Sequence, residues 1–350
     1  MARSAVWTGV AAIGLASALV GPAGAATIVH ALTISGQASG GVGPFGCATS
    51  GPLPSTNFHG GGVPVPAEGH AACNLKGGVQ DASKASGLSI AHSNVTNPLN
   101  GGVNTASADA KAEEGVLGAQ ASESYTSSYV DSRTYLYSEA GAIWSDPLDY
   151  SGLGSGMAYM RWRFDIDGLM SVTGSGDALT RLRYQVGAEP IYTAFVAELG
   201  RSFSTPRVIS GVTGATLGGF TVTPNSISGA DSVFTFFHLV DLDSLIDFKA
   251  GLYTAAYSGP NSAVVNDFFN TAKLSGIELF DLRGNPLDVS FVGASGTFYD
   301  ETGAHRAAAV PEPSQWALMI LGFGLVGLMA RHPRRNLRAH RAAADRQGRA

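Results

Sequence analysis

Few residues in this 350-residue chain are spaced for chemistry. Cys47 and Cys73 are its only cysteines. In an oxidising compartment an even pair reads as a disulfide, and closing that loop would be worth about 3–3.5 kcal/mol in the loop-entropy description. The rival use, a metal site with His59 and His70, has a spacing that matches no common zinc pattern, so a disulfide is expected. Asp165 and Asp167 have the two-residue offset that puts carboxylates on one face of a strand. A glycosidase pair needs about 5 Å or 6.5–9.5 Å between its carboxyls. Arg161, Arg163, Arg181 and Arg183 offer these aspartates a simpler use, an ion-pair ladder on an outer strand face. Asp241 and Asp243, with Asp247, present oxygens of the kind calcium takes. They lack the EF-hand spacing and glycine, so this is a weak calcium candidate beside a solvated loop. His238, inside Val233–Leu239, reads as a strand residue. No serine has glycine at both −2 and +2, and there is no H-E-x-x-H, C-x-x-C or P-loop. Hence no catalytic residue, no cofactor and no enzyme activity are expected.

Charge and hydropathy divide the chain. Lys and Arg number 22 against 27 Asp and Glu, and only 14% of residues are charged. That balance excludes a highly charged disordered chain and a nucleic-acid binder with a basic surface. Arginine is concentrated at the end, where residues 331–350 hold seven arginines and one acid, Asp345. Arg3 precedes an apolar run from Ala5 to Val20, and Ala23 and Ala25 suit a signal peptidase. Residues 1–25 are therefore expected to be a signal peptide, and the protein to be exported. A second apolar run, Trp316–Ala330, is 15 residues without a charge, short of the ~20 that usually span a bilayer. Trp316 suits one interface, and Arg331, Arg334 and Arg335 anchor the other by the positive-inside rule. A single transmembrane helix over 316–330 is expected, with the body outside the cytoplasm and the Arg-rich tail, 336–350, inside. Because those arginines abut an apolar span, topology explains them better than nucleic acid does.

Just before that run stands Val310-Pro311-Glu312-Pro313-Ser314-Gln315-Trp316-Ala317. Pro-Glu-Pro, then Trp-Ala, then a Gly-interrupted apolar run, then arginines: the arrangement over 307–335 resembles the PEP-CTERM sorting signal of Gram-negative bacteria, in its PEPxxWA variant. The resemblance implies an exosortase as partner, besides signal peptidase and the inner membrane. It implies a chain anchored before processing, then placed at the cell surface or in extracellular matrix. Pro311 and Pro313 remove backbone donors and hold the segment extended, open to a peptidase.

Aromatic residues set the expected organisation of the middle. Between Gly36 and Gly118 there are two, Phe45 and Phe58, with 17 glycines; between Ala119 and Arg306 there are 26. Large aromatics dominate core energetics, so 26–118 is expected to be a Gly/Ser-rich region and 119–306 the ectodomain. Within it, Met160–Asp167 and Thr180–Val186 alternate with a period of two; if they are antiparallel neighbours, their Arg and Asp side chains share the outer face and can pair across it. Further strands are expected over Ser128–Ser138, Ala188–Leu199, Arg207–Val212, Gly219–Thr223, Ser232–Leu239, Lys249–Tyr257, Ala272–Phe280 and Leu287–Val292. Ala106–Ala121 is the one helix candidate. The fold expected is mainly β, a β-sandwich or jelly-roll-like ectodomain. The stretch Asn270–Asp281, with Gly284-Asn285-Pro286 and Ser295–Tyr299, also resembles ectodomains that often precede PEP-CTERM tags, which implies a β-rich surface domain and no assigned activity. The function expected is that of an envelope- or exopolysaccharide-associated surface protein with a structural or glycan-binding ectodomain. The alternatives are a secreted glycan- or peptide-acting hydrolase and, last, an ice-binding protein.

Overall fold

The computed structural model describes residues 28–39, 76–85, 88–99, 102–126, 134–150, 153 and 155–306. Every regular element among them is a strand. The first five are β1 (Ile28–Ser39), β2 (Lys76–Ala85), β3 (Ser89–Leu99), β4 (Gly102–Glu113) and β5 (Val116–Tyr125). Then come β6 (Thr134–Asp149), β7 (Met157–Thr173), β8 (Gly176–Val186), β9 (Tyr192–Gly200) and β10 (Arg207–Ser210). β11 (Phe220–Val222), β12 (Ser226–Phe234), β13 (His238–Asp241), β14 (Leu245–Ser258) and β15 (Ser262–Phe280) follow. The last are β16 (Pro286–Leu287), β17 (Ser290–Val292), β18 (Thr297–Asp300) and β19 (Gly303–Arg306). They build a seven-stranded sheet, β10-β9-β8-β14-β6-β1-β2, and a nine-stranded one, β11-β12-β7-β15-β5-β4-β3, with β13 beside β7 and β16 beside β15. A small third sheet runs β17-β18-β19.

The two large sheets share one hydrophobic core, which has two kinds of filling. Towards β1–β5 the filling is small. Ala31 on β1, Ala91 and Ser93 on β3, Ala106, Ala108, Ala110 and Ala112 on β4, Ala119 and Ala121 on β5, and Ala140 and Ala142 on β6 are all buried. Such side chains let Cα atoms of β1 and β6 come within 8 Å of those of β4, closer than the ~10 Å usual for stacked sheets. Hydroxyls bridge the gap: Ser35 Oγ lies 2.8 Å from Ser93 Oγ, and Ser89 Oγ donates to the Val29 carbonyl at 2.9 Å. Elsewhere the filling is aromatic. Phe248 stacks on Trp162 at 4.5 Å and tilts against Trp144 at 5.2 Å, and Phe195 meets Phe268 at 5.7 Å. The third sheet extends this cluster through Tyr299, stacked on Phe291 at 5.4 Å and on Trp144 at 6.3 Å. It is pinned by buried Asp146, which accepts from Tyr299 Oη at 2.7 Å and from Ser295 Oγ and N at 2.5 and 3.0 Å.

Three expectations are corrected. The helix over Ala106–Ala121 is a hairpin, β4 and β5 joined by a turn at Glu114-Gly115, where Gly115 takes φ +77°. Alanine favours helix, but alternation with Ser107, Asp109 and Lys111 has the strand period, and packing against the facing sheet decides. The boundary at 118/119 runs through β5, and residues 76–118 supply strands to both sheets. Sparse aromatics there mark a close-packed small-residue interface. Lastly, 160–167 and 180–186 are not neighbours: β7 belongs to the nine-stranded sheet and β8 to the seven-stranded one. Gly174, at φ +73°, helps carry the chain between them. The further strand candidates overlap strands from β6 to β17, with 188–191 and 235–237 outside any strand, while residues 1–25, the Cys47 and Cys73 pair, 128–133 and 307–350 fall outside the described residues.

Two predictions follow from this packing. Ala108→Leu inserts three carbons where the sheets leave no room, and overpacking of this kind costs about 1–3 kcal/mol; a lowered unfolding midpoint of the full chain in detergent checks it. The second concerns Glu123, an inward residue of β5 whose Oε1 accepts from Ser138 Oγ at 3.1 Å. Burial lifts its carboxyl from 4.5 to about 8, against hydrogen bonds with Ser258 and Ser138 that pull it down. Between those two values the folded chain keeps a proton that the unfolded chain has shed, so stability falls as pH rises from about 4.5 to 8. Glu123→Gln, which mimics the protonated acid, should remove that slope and be the more stable form at pH 9. Parallel pH dependences of the two chains would contradict this.

Candidate functional site

Within the nine-stranded sheet, β12 and β13 lie one after the other along the edge of β7 that faces away from β15, with Phe234 opposite Arg163 and His238 opposite Met160. The intervening Thr235, Phe236 and Phe237 bulge away from the sheet. Thr235 ties the base of this bulge to Trp162: its N–H donates to the Trp162 carbonyl at 2.9 Å, and its Oγ1 accepts from Trp162 N at 3.0 Å and donates to the Phe236 carbonyl at 2.9 Å. Phe236 N donates to Tyr184 Oη, on β8 of the other sheet, at 2.9 Å. Beneath them His238, 3% exposed, hydrogen-bonds Glu189 Oε2 through Nδ1 at 2.6 Å and lies 3.4 Å from Tyr184 Oη through Nε2. Burial lowers the His238 imidazole below its ordinary value, and Glu189 opposes this. Tyr192 completes the support, stacked on Tyr184 at 5.6 Å and edge-on to Phe236 at 5.5 Å.

Arg161 stands beside this bulge because β15 changes phase. Up to Leu274 the inward residues of β15 are even-numbered (Val264, Asn266, Phe268, Ala272, Leu274), and from Ile277 they are odd. The shift falls between Leu274 and Gly276, which pair with Phe164 and Arg163. Ser275 is the extra residue, a β-bulge. Arg163 clamps it, Nη2 donating to the Ser275 carbonyl at 2.7 Å and Nε to its Oγ at 3.2 Å. One residue of slip turns a strand over, so Glu278 and Phe280 point outward. Glu278 Oε2 then accepts from Arg161 Nε at 2.8 Å and Nη2 at 2.7 Å. The Arg161 guanidinium lies over the rings of Phe234 and Phe237 at 4.3 and 4.5 Å, and Phe280 meets Phe237 edge-on at 5.6 Å.

Arg161, Phe234, Phe236 and Phe237 line an open cavity of about 350 Å³ together with Ser210, Val212, Thr213 and Leu217. Phe236 and Phe237 reach it while 40% and 50% exposed. Ser210 Oγ accepts from Val212 N and Thr213 N at 3.3 Å, and Thr213 Oγ1 accepts from Ala215 N at 3.2 Å. Both hydroxyl hydrogens are left to donate. The site therefore combines flat apolar faces with a few hydrogen-bond donors, and all its aromatic parts are held from behind.

The residues singled out from sequence fare differently. Asp165 accepts from Ser232 Oγ at 2.6 Å, and burial raises the Asp167 carboxyl, helped by repulsion from Asp267. The outer-face arginines do find partners, but other ones than expected: Arg161 takes Glu278, Arg163 takes Ser275, and Arg181 lies 3.6 Å from Glu198. Asp241 and Asp243 serve a turn, Asp241 Oδ1 accepting from Asp243 N and Asp243 Oδ2 from Gly156 N, both at 3.0 Å, while Asp247 lies in β14 opposite Pro147. Among the described residues no group of three His, Cys, Asp or Glu side chains could hold a metal ion. Sequence reading missed Phe236, Phe237 and Glu278. The signal it had was the Phe236-Phe237 pair, which breaks the alternation of its strand.

The C-terminal residues Pro311, Glu312, Pro313, Trp316, Ala317, Arg331, Arg334 and Arg335 lie outside the described residues, but they are covered by a comparison. Residues 309–335 match the family model of the PEP-CTERM protein-sorting motif. The chain therefore carries a PEP-CTERM sorting motif at its C-terminal end, and such a motif implies processing by an exosortase. No curated protein and no solved structure gives a match. Among the described residues no helix is long and apolar enough to cross a membrane.

Tyr184→Phe removes the acceptor of Phe236 N–H and one neighbour of His238. An intramolecular hydrogen bond contributes about 0.5–1.5 kcal/mol net, so a small loss of stability is expected together with faster amide exchange at Phe236. Unchanged exchange there would mean the bulge is held by other contacts.

Proposed function

We propose that this protein is an exosortase-sorted surface protein whose β-sandwich ectodomain has a structural or glycan-binding role and no catalytic one. Residues 1–25 act as its export signal, and Trp316–Ala330 as a helix that holds it in the inner membrane until it is processed near Pro311–Pro313. The observation that carries the reading is the sorting motif at 309–335, which takes in Pro311–Pro313, the apolar run Trp316–Ala330 and Arg331, Arg334 and Arg335. A short anchor interrupted by Gly322, Gly324 and Gly327 suits a segment that is to be cut away. Exopolysaccharide is the ligand such a placement offers. A body with few charges and an aromatic site fits a binding role better than a reaction requiring paired acids and bases.

The intact mass of the protein recovered from its native host, with and without the exosortase, tests the sorting. Loss of residues 1–25 is expected in both strains, and loss of everything after about Val310 only where the exosortase is present. A chain that keeps Trp316–Ala350 in both strains would refute processing. Retention of the full chain, in detergent, on polysaccharide prepared from the same host tests the binding role, and no retention would refute it.

A further inference from the structure

We infer that the cavity beside Arg161, Phe236 and Phe237 is a sugar site, taking one uncharged pyranose ring of a glycan chain. The inference rests on the glycan-binding reading and gives it a location and a ligand chemistry. Exposed rings at the rim of a cavity are a solvation liability that marks a binding surface. A pyranose has the complementary shape: one flat face of C–H bonds with partial positive charge, and a ring of hydroxyls at its edge. The π-face of an aromatic ring carries the negative end of its quadrupole, so Phe236 or Phe237 suits the flat face. The edge hydroxyls then need partners. Ser210 and Thr213 each have a hydroxyl hydrogen to donate, since their oxygens already accept from backbone N–H groups. A purely apolar occupant, such as an acyl chain, would leave those donors dry and unpaired, at a cost.

Size and charge narrow the ligand. A cavity of about 350 Å³ is at the small end of ligand pockets, room for one sugar ring of a chain and not for a folded partner. Arg161 is already countered by Glu278. Arg163 and Asp165 follow Arg161 on the same outer face of β7 and carry opposite charges, Asp165 accepting from Ser232 Oγ at 2.6 Å. The surroundings thus carry no excess of positive charge to attract a uronate. Preorganisation by Tyr184, Thr235 and His238 spares the cost of ordering the rings on binding.

The test is titration of the full chain in detergent with maltohexaose, cellohexaose and mannohexaose as neutral probes and an alginate oligomer as the charged one. Saturable binding of at least one neutral probe is expected, tighter than that of the alginate oligomer. Phe237→Leu, which keeps apolar bulk and loses the flat face, and Thr213→Val, which loses the donor, should each weaken it tenfold or more. Val103→Ala, exposed on β4, should leave binding unchanged, and unfolding midpoints identify any variant that fails to fold. Tighter alginate binding, no neutral binding, or undiminished binding by well-folded Phe237→Leu would each overturn the inference. If host polysaccharide retains wild type and Phe237→Leu equally, the site is wrong while the surface-binding reading stands. If it retains neither, that reading fails first.

Discussion

One buried amide fixes how the two large sheets meet. Asn266, on β15 of the nine-stranded sheet, is fully buried and spends its polar atoms on the opposite sheet: Nδ2 donates to the carbonyls of Leu179 and Ala255 at 2.9 Å each, and Oδ1 accepts from Thr180 Oγ1 at 2.8 Å. A buried amide left short of partners is costly, so any slip of β15 relative to β8 and β14 would break all three bonds together. The consequence runs the length of β15. With Asn266 held inward, the even-numbered residues near it must face the core, and only the bulge at Ser275 lets Glu278 and Phe280 face solvent further on. Arg163 stabilises that bulge, and Arg161 meets Glu278 because of it. The amide in the middle of the core and the arginine at the rim are thus parts of one register.

The contrast between the two core fillings has a similar logic. Sheets close together at one place need alanine, serine and glycine there, and the aromatic mass has to be elsewhere. Glu123 sits where the filling is small, between Ser138 and Ser258, so its carboxyl stays protonated in a space that offers hydroxyls and no cation. Asp146 has the opposite solution at the aromatic end. There a tyrosine hydroxyl, a serine hydroxyl and a backbone N–H together supply its acceptors with donors.

The class of fold was legible because period-two patterns such as Trp162, Phe164 and Ile166 on β7 survive any change of partner strand. Which strands pair was not. Gly174 turns the chain from one sheet to the other in the same short space that a hairpin would use, and nothing local separates the two outcomes. The alanine alternation in Ala106–Ala112 was visible, yet the intrinsic preference of alanine pointed to a helix, and only a facing sheet at short range reverses that. At the site the hidden feature was a single extra residue. A strand from Ala272 to Phe280 looks continuous in sequence, and its change of face at Ser275 depends on an arginine 112 positions away. The sorting motif at 309–335 was legible because its meaning lies in linear order and needs no fold.

Why the aromatic bulge is built as it is can be argued from cost. Two adjacent phenylalanines on a surface forfeit apolar burial, and a strand that ran on from Phe234 to His238 without interruption would have tucked one of them away. Here the interruption is held open by groups drawn from both sheets: Thr235 on Trp162, Tyr184 on the Phe236 N–H, and Glu189 on His238. Arg161 covers one side of Phe237 without hiding it, since a guanidinium over a ring keeps the edge and the other side wet. Core packing alone explains none of this, because Trp162 and Phe248 fill the interior beneath without it. The interruption spends hydrogen bonds from three strands to keep two rings in water, and an arrangement of that kind is stable only because the core below it is already closed.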